Sequence, residues 1–216
     1  MKREEVVSQI ISTGVVAVIR LKDTQRLLKV IEAVRLGGVK SIEITMTVPG
    51  AIEIISQLTK SAPSDVLIGA GTVTDRETAS RVINAGARFV VGPILNLDII
   101  KLCGELDTPV MPGCYSPTEI FSAWNAGADI VKVFPATSLG PKYLRDLRGP
   151  FPELRLMPTG GVTVDNVGEW IAAGAVAVGI GSDLLDKKAI DEERFEVLTE
   201  KSRRMVENVL KAKQGS

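Results

Sequence analysis

Ala126-Gly127-Ala128-Asp129-Ile130-Val131-Lys132-Val133-Phe134-Pro135 decides how the rest of the chain is read. Its first half puts a glycine after a helix-compatible stretch, where a left-handed C-cap turns the chain out of the helix. Its second half is a β-branched apolar run closed by proline. The apolar residues are nearly continuous rather than alternating, as in a strand buried on both faces. The glycine junction recurs at Leu36-Gly37-Gly38-Val39, Ala85-Gly86-Ala87-Arg88 and Ala173-Gly174-Ala175-Val176.

Outward from this unit, eight apolar runs cover 15–20, 39–46, 66–72, 88–92, 109–112, 129–134, 155–159 and 176–181. Helix-compatible stretches lie between them at 25–36, 51–60, 76–85, 96–106, 118–126, 142–147 and 164–173. Several follow residues that cap a first helical turn: Asp23, Asp75, Ser116 and Thr163. Strand–helix alternation implies a parallel sheet, and eight units close naturally into a barrel. The expectation is an α/β protein forming a single (β/α)8 TIM barrel over 1–216. An extra N-terminal helix at 3–11 is placed to plug the barrel bottom. A C-terminal helix at 192–211 packs outside the barrel or on a partner subunit. A doubly wound open sheet is the alternative, but no GxGxxG follows the first run.

Composition agrees with an aliphatic core: 45% of residues are hydrophobic and only 4% aromatic, with a mean hydropathy of +0.19. Branched side chains of this kind fill parallel barrels. Twenty-six basic and twenty-six acidic residues cancel, so no nucleic-acid footprint is expected. Cys103 and Cys114 are too few for a disulfide framework or metal knuckle, and a reduced cytoplasmic setting is the default. The charged, amphipathic first twelve residues do not read as a signal peptide. No apolar run reaches the ~18 residues of a membrane span. The chain has no histidine, which excludes Ser-His and Cys-His nucleophile pairs and histidine metal sites. Acid–base chemistry must use carboxylates, lysine, tyrosine or cysteine.

Barrel active sites collect at the C-terminal ends of strands. Lys132 interrupts an apolar strand there. Burial disfavours an ammonium, and a neutral amine in an apolar pocket is what carbinolamine formation requires. An ion-paired structural lysine is the plainer alternative. Glu43 lies between two isoleucines in Ser41-Ile42-Glu43-Ile44-Thr45. It is either a general acid/base with a raised pKa or a structural partner of Arg20 or Lys132. Pro158-Thr159-Gly160-Gly161-Val162 and Gly179-Ile180-Gly181-Ser182-Asp183-Leu184 end the seventh and eighth runs, each expected to lead into a helix N-terminus. Those loops form the usual phosphate cradle of the fold. The glycines alternatively serve only the turns, and Asp183 alternatively caps a helix. Thr72 is a candidate donor to a carboxylate, and Arg20 a candidate bidentate ligand of carboxylate or phosphate. Both could instead be ordinary rim polar groups, a reading that weighs about equally for Thr72. Cys114 has no adjacent base and reads as a packing residue. Trp124 and Trp170 fall on helices and cover the barrel wall.

These residues resemble the KDPG/KHG aldolase family, class I enzymes acting on 2-keto-3-deoxy-6-phosphogluconate and 4-hydroxy-2-oxoglutarate. The carriers, from about Val15 to about Leu185, are IEIT at 42–45, GAGTVT at 69–74 and Gly92-Pro93. MPGCYSPTE at 111–119, VKVFPA at 131–136, PTGGV at 158–162 and GIGSDL at 179–184 follow in order. The resemblance implies Lys132 as the Schiff-base lysine and Glu43 as the general acid/base. It implies Thr72 near the pyruvyl carboxylate, Pro93 and Phe134 as pocket walls, and Gly160, Gly161 and Ser182 at the phosphate, beside Thr159 and Gly181. It also implies no metal or cofactor, pyruvate as a product, and a homotrimer. Some members carry arginine four residues after the glutamate, where this chain has Thr47. Arg20 then stands in as the carboxylate ligand. PGC and GSDL are also similar to the branch acting on 2-keto-3-deoxy-6-phosphogalactonate. A phosphosugar isomerase or synthase, or a non-catalytic assembly scaffold on the same barrel, are the rivals from other classes.

Overall fold

The computed structural model describes residues 1–215; Ser216 lies outside them. Among the described residues nine parallel strand segments are separated by helices, except β5 and β6, which follow each other directly across Pro112. The strands are β1 (Val15–Ile19), β2 (Ser41–Thr45), β3 (Leu67–Gly71), β4 (Val90–Val91), β5 (Val110–Met111), β6 (Gly113–Cys114), β7 (Val131–Val133), β8 (Leu156–Pro158) and β9 (Val178–Ile180). The helices are α1 (Arg3–Thr13), α2 (Thr24–Leu36), α3 (Ala51–Ser61), α4 (Arg76–Asn84), α5 (Leu97–Glu105), α6 (Pro117–Asn125), α7 (Gly140–Arg148), α8 (Val167–Ala172), α9 (Lys187–Asp191) and α10 (Phe195–Gln214). Each of the eight expected runs contains strand, and each expected helix has a counterpart.

The recurring glycine junction is the left-handed turn its sequence demands. Gly38, Gly86, Gly127 and Gly174 have φ between 96° and 103°, where an L side chain is strained. The helix starts are equally local. Asp23 accepts from the amides of Gln25 and Arg26, and Asp75 from that of Thr78. Ser116 and Glu119 form a reciprocal capping box on α6.

The strands form a six-stranded sheet, β5-β4-β3-β2-β1-β9, and a three-stranded sheet, β6-β7-β8. This half-barrel arrangement departs from the uninterrupted eight-stranded ladder expected, for two reasons. The fifth run gives β5 and ends at Pro112, which has no N–H to give the ladder; strand pairing resumes beyond it in β6. Between β8 and β9, pairing shrinks to isolated bridges at Leu156–Ala175 and Thr159–Gly179. The C-terminal helix expected at 192–211 is α10, and the short α9 just before it was not expected. The chain turns between α9 and α10 at Glu193, whose φ is 55°.

There are two apolar cores. An outer one lies between strands and helices and includes Ile42, Ile44, Val131 and Val133. An inner one is lined by Val16, Leu67, Phe89, Met111, Ile130, Met157 and Ala177 from the strand regions. α1 fills its lower end with Val6 and Ile10, the plugging role expected of it. Arg3 ties α1 to the strands through a two-pronged bond to Asp129, at 2.8 and 2.9 Å. α10 packs outside on α2 and α8: the Thr199 hydroxyl donates to the Ala33 carbonyl, and Asn208 to that of Val164.

Candidate active site

Alternation along β2 sends Ile42 and Ile44 outward and leaves Ser41, Glu43 and Thr45 on the inner face, all buried. On β1, Val16 and Val18 pair with Ser41 and Glu43, so Arg20 belongs to the same face one step beyond. On β7, Val131 and Val133 face the outer core, and Lys132 takes the inner side. Period two therefore brings the two costliest charges in the chain into the one interior. Glu43 is 1% and Lys132 5% exposed.

Neither is neutralised by a formal partner. Glu43 Oε2 has no hydrogen-bond partner, and among the described residues no ion pair joins Glu43 to Lys132 or Arg20. The structural salt bridge allowed by the sequence does not form. Burial pushes the Glu43 carboxyl above its ordinary value, and the charges of Lys132 and then Arg20 partly offset this. The Lys132 ammonium nitrogen lies 5.0 Å from the centre of the Phe134 ring, within cation–π range. Phe134 thus forms a wall for the lysine. Across the ladder Lys132 faces Gly113, and Pro93 lies over Gly113. A Cβ there would fall 2.4 Å from the Pro93 carbonyl carbon. Phe134 thus lies beside Lys132, and Pro93 lies beside the residue paired with it.

Thr72 follows β3 with φ of 59°. That is an outlier for a β-branched residue and costs roughly 1–3 kcal/mol. Hydrogen bonds on both sides hold it: Met46 donates to the Gly71 carbonyl, and Val73 to that of Val91. The expected departure, Thr47, is exposed and its hydroxyl lies 2.7 Å from that of Thr45.

Arg20, Gly181 and Ser182 line one cavity of about 280 Å³ between the ends of β1 and β9. A Cβ on Gly181 would lie 3.8 Å from Arg20 Nη1. Arg20 therefore approaches the glycine turn that follows β9. Gly160 and Gly161 have φ of 94° and 74° and sit beneath Thr137, 3.1 and 3.0 Å from its nearest atoms on adding a Cβ. No sequence signal marks Thr137; its place after β7 and opposite the glycine pair is set by tertiary structure. Thr159 turns toward β9, and its buried hydroxyl oxygen has no partner.

The glycine turns do not run straight into helices, contrary to expectation. α8 and α9 begin at Val167 and Lys187. Asp183 does not cap its own helix but accepts from the Val164 amide, joining the two loops; Asp186 caps α9. Cys114 is buried, its thiol pushed up to about 12 by desolvation and then by Glu119, which suits a packing residue. A larger hollow of about 550 Å³ beside α1, lined by Arg3, Glu4, Asp129 and Arg155, contains none of these groups.

The family model described as KDPG and KHG aldolase matches residues 6–200. The 2-dehydro-3-deoxy-phosphogluconate aldolase of Haemophilus influenzae is 34% identical over 194 residues, 89% of this chain and 91% of the relative. The 2-dehydro-3-deoxy-6-phosphogalactonate aldolase of Escherichia coli is 34% identical over 148 residues, 68% and 72% of the two chains. A KDPG aldolase from Legionella pneumophila, solved with pyruvate captured as a covalent carbinolamine, superposes with a TM-score of 0.85 at 29% identity, covering 92% of this chain and 97% of its own. Fold and likeness define a parallel α/β enzyme, a carbon–carbon lyase. More particularly, the chain belongs to the KDPG and KHG aldolase family.

Proposed function

We propose that this chain is a class I aldolase that cleaves 2-keto-3-deoxy-6-phosphogluconate to pyruvate and glyceraldehyde 3-phosphate, and accepts 4-hydroxy-2-oxoglutarate. The observation that carries this is a buried lysine and a buried, partnerless carboxylate sharing one interior. Lys132 Nζ attacks the C2 carbonyl to give a carbinolamine, and loss of water gives an iminium. The Glu43 carboxylate, through a water, takes the C4 hydroxyl proton. The C3–C4 pair flows into the iminium as the aldehyde leaves. Glu43 returns the proton to C3 of the enamine, and hydrolysis frees pyruvate and Lys132. The iminium is the electron sink, so this route calls for no metal or cofactor.

Phe134 and Pro93 enclose the lysine. Thr72 receives the pyruvyl carboxylate. Arg20, Gly160, Gly161, Gly181 and Ser182 receive the phosphate, with Thr159 behind the glycine pair. Two observations support one closed (β/α)8 barrel acting as a single domain: only Pro112 separates β5 from β6, and isolated bridges link the β8 and β9 segments. A cytoplasmic homotrimer is the working assembly, supported by exposed Ile94, Leu97, Tyr115 and Phe121 in consecutive units; light scattering tests it.

The likeness to the phosphogalactonate aldolase favours a second reading, in which the C4 epimer is the better substrate. Incubation with pyruvate and borohydride is expected to leave a reduced adduct on Lys132; its absence rejects the Schiff-base route. Pyruvate release from the two epimers and from 4-hydroxy-2-oxoglutarate, measured side by side, decides the substrate.

A further inference from the structure

The inner face of β3 carries Leu67, Gly69 and Gly71 in alternation. Gly69 stands directly across the ladder from Glu43, and Gly71 across from Thr45. The space above each glycine is taken by a different side chain. A Cβ on Gly69 would fall 2.3 Å from the ring of Phe89, which is fully buried. A Cβ on Gly71 would fall 1.8 Å from Glu43 Oε1 and 2.3 Å from its Cδ. The Phe89 ring occupies the position opposite Glu43, and the carboxylate leans one step toward the C-terminal end of the sheet, over Gly71. We propose that Gly71 is a positioning residue: its missing side chain is the space in which the Glu43 carboxylate rests, with Phe89 closing the alternative space above Gly69.

The geometry separates this role from a backbone one. Gly71 does not have positive φ, so alanine meets no backbone strain there. The nearest atoms in its way all belong to Glu43, the movable end of a flexible side chain. Gly71→Ala is thus expected to fold and to re-aim the carboxylate. A displacement of about 1 Å can lower a rate by about 100-fold.

The proposal rests on Glu43 as the proton-transfer group, and the test separates the two. Turnover, borohydride trapping of pyruvate on Lys132 and exchange of pyruvate methyl protons with deuterium are measured in the wild type, Gly71→Ala, Glu43→Gln and the double variant Glu43→Gln/Gly71→Ala. Glu43→Gln with wild-type turnover overturns both ideas. With Glu43→Gln impaired, the expected result is that Gly71→Ala loses turnover and methyl exchange by about 10–100-fold. It retains Lys132 trapping and adds no further loss in the Glu43→Gln background. Wild-type turnover in Gly71→Ala, loss of trapping in parallel with turnover, or additive losses overturn the positioning role while leaving Glu43 in place. If Gly71→Ala fails to fold, Glu43→Ala/Gly71→Ala decides. Restored folding supports the clash with Glu43, and continued failure overturns it.

Discussion

Glu43 is buried in an interior that offers its Oε2 no hydrogen-bond partner, and two measurable consequences follow. Because burial raises its folded-state pKa, the native state holds this proton more tightly than the unfolded chain. Its contribution to stability is fully present below the ordinary value of 4.5 and is lost as pH rises through the raised value. Glu43→Gln is therefore expected to melt higher than the wild type at neutral pH, with the gap closing below that ordinary value in calorimetric scans. Turnover has the opposite dependence. It needs the carboxylate as a base, so the acidic limb of kcat/KM should lie above the ordinary carboxylate range and vanish in Glu43→Gln, with a rate loss of about 10²–10⁴-fold. Lys132→Ala should abolish turnover and pyruvate trapping while circular dichroism stays unchanged. Lys132 and Glu43 were legible in the sequence because a charge in an apolar strand is conspicuous. Gly71 and Phe89 were not, since their meaning depends on which side chain of a neighbouring strand leans over them. Arg20 was conspicuous at the end of the first run, but its approach to Gly181 across the β1–β9 junction was not legible.

The strand–helix units owe their boundaries to short-range chemistry, and at this scale sequence and structure agree most closely. Gly127 gives a clean measure of it. Its φ is 96°, and a Cβ added there would meet nothing within 4 Å. Gly127→Ala should therefore lose about 1–2 kcal/mol, the intrinsic cost of the left-handed conformation, in urea unfolding. Gly174 shares the conformation, with φ of 100°, but a Cβ there would fall 2.1 Å from Arg148 Nη1. Gly174→Ala should lose more, and the difference measures the crowding. The interrupted ladder was harder to foresee. Pro112 is visible in the sequence and closes the fifth run, but the resumption of pairing at Gly113–Cys114 is not, because a glycine and a cysteine carry little strand signal. The short α9 was hidden for a different reason: its five residues are too few to show a helical period.

Over the whole molecule, stability and chemistry occupy opposite ends. α1 seals the lower end with Val6 and Ile10 and is anchored by Arg3 on Asp129. Lys132, Glu43 and the glycine turns stand at or toward the upper ends of the strands. Ile10→Ala should lower unfolding free energy by roughly 2–5 kcal/mol and leave kcat/KM of the folded fraction near the wild-type value. Loss of activity in step with Ile10 would show that the two ends are coupled. The interior also makes this protein unusually suitable for proton counting. No imidazole exists anywhere in the chain, and both thiols are pushed up to about 12. The side-chain background that ordinarily crowds titrations near neutrality is therefore absent. Carbon-13 label on glutamate, followed by NMR as pyruvate is added, should let the ionisation of Glu43 be observed directly as the covalent intermediate forms.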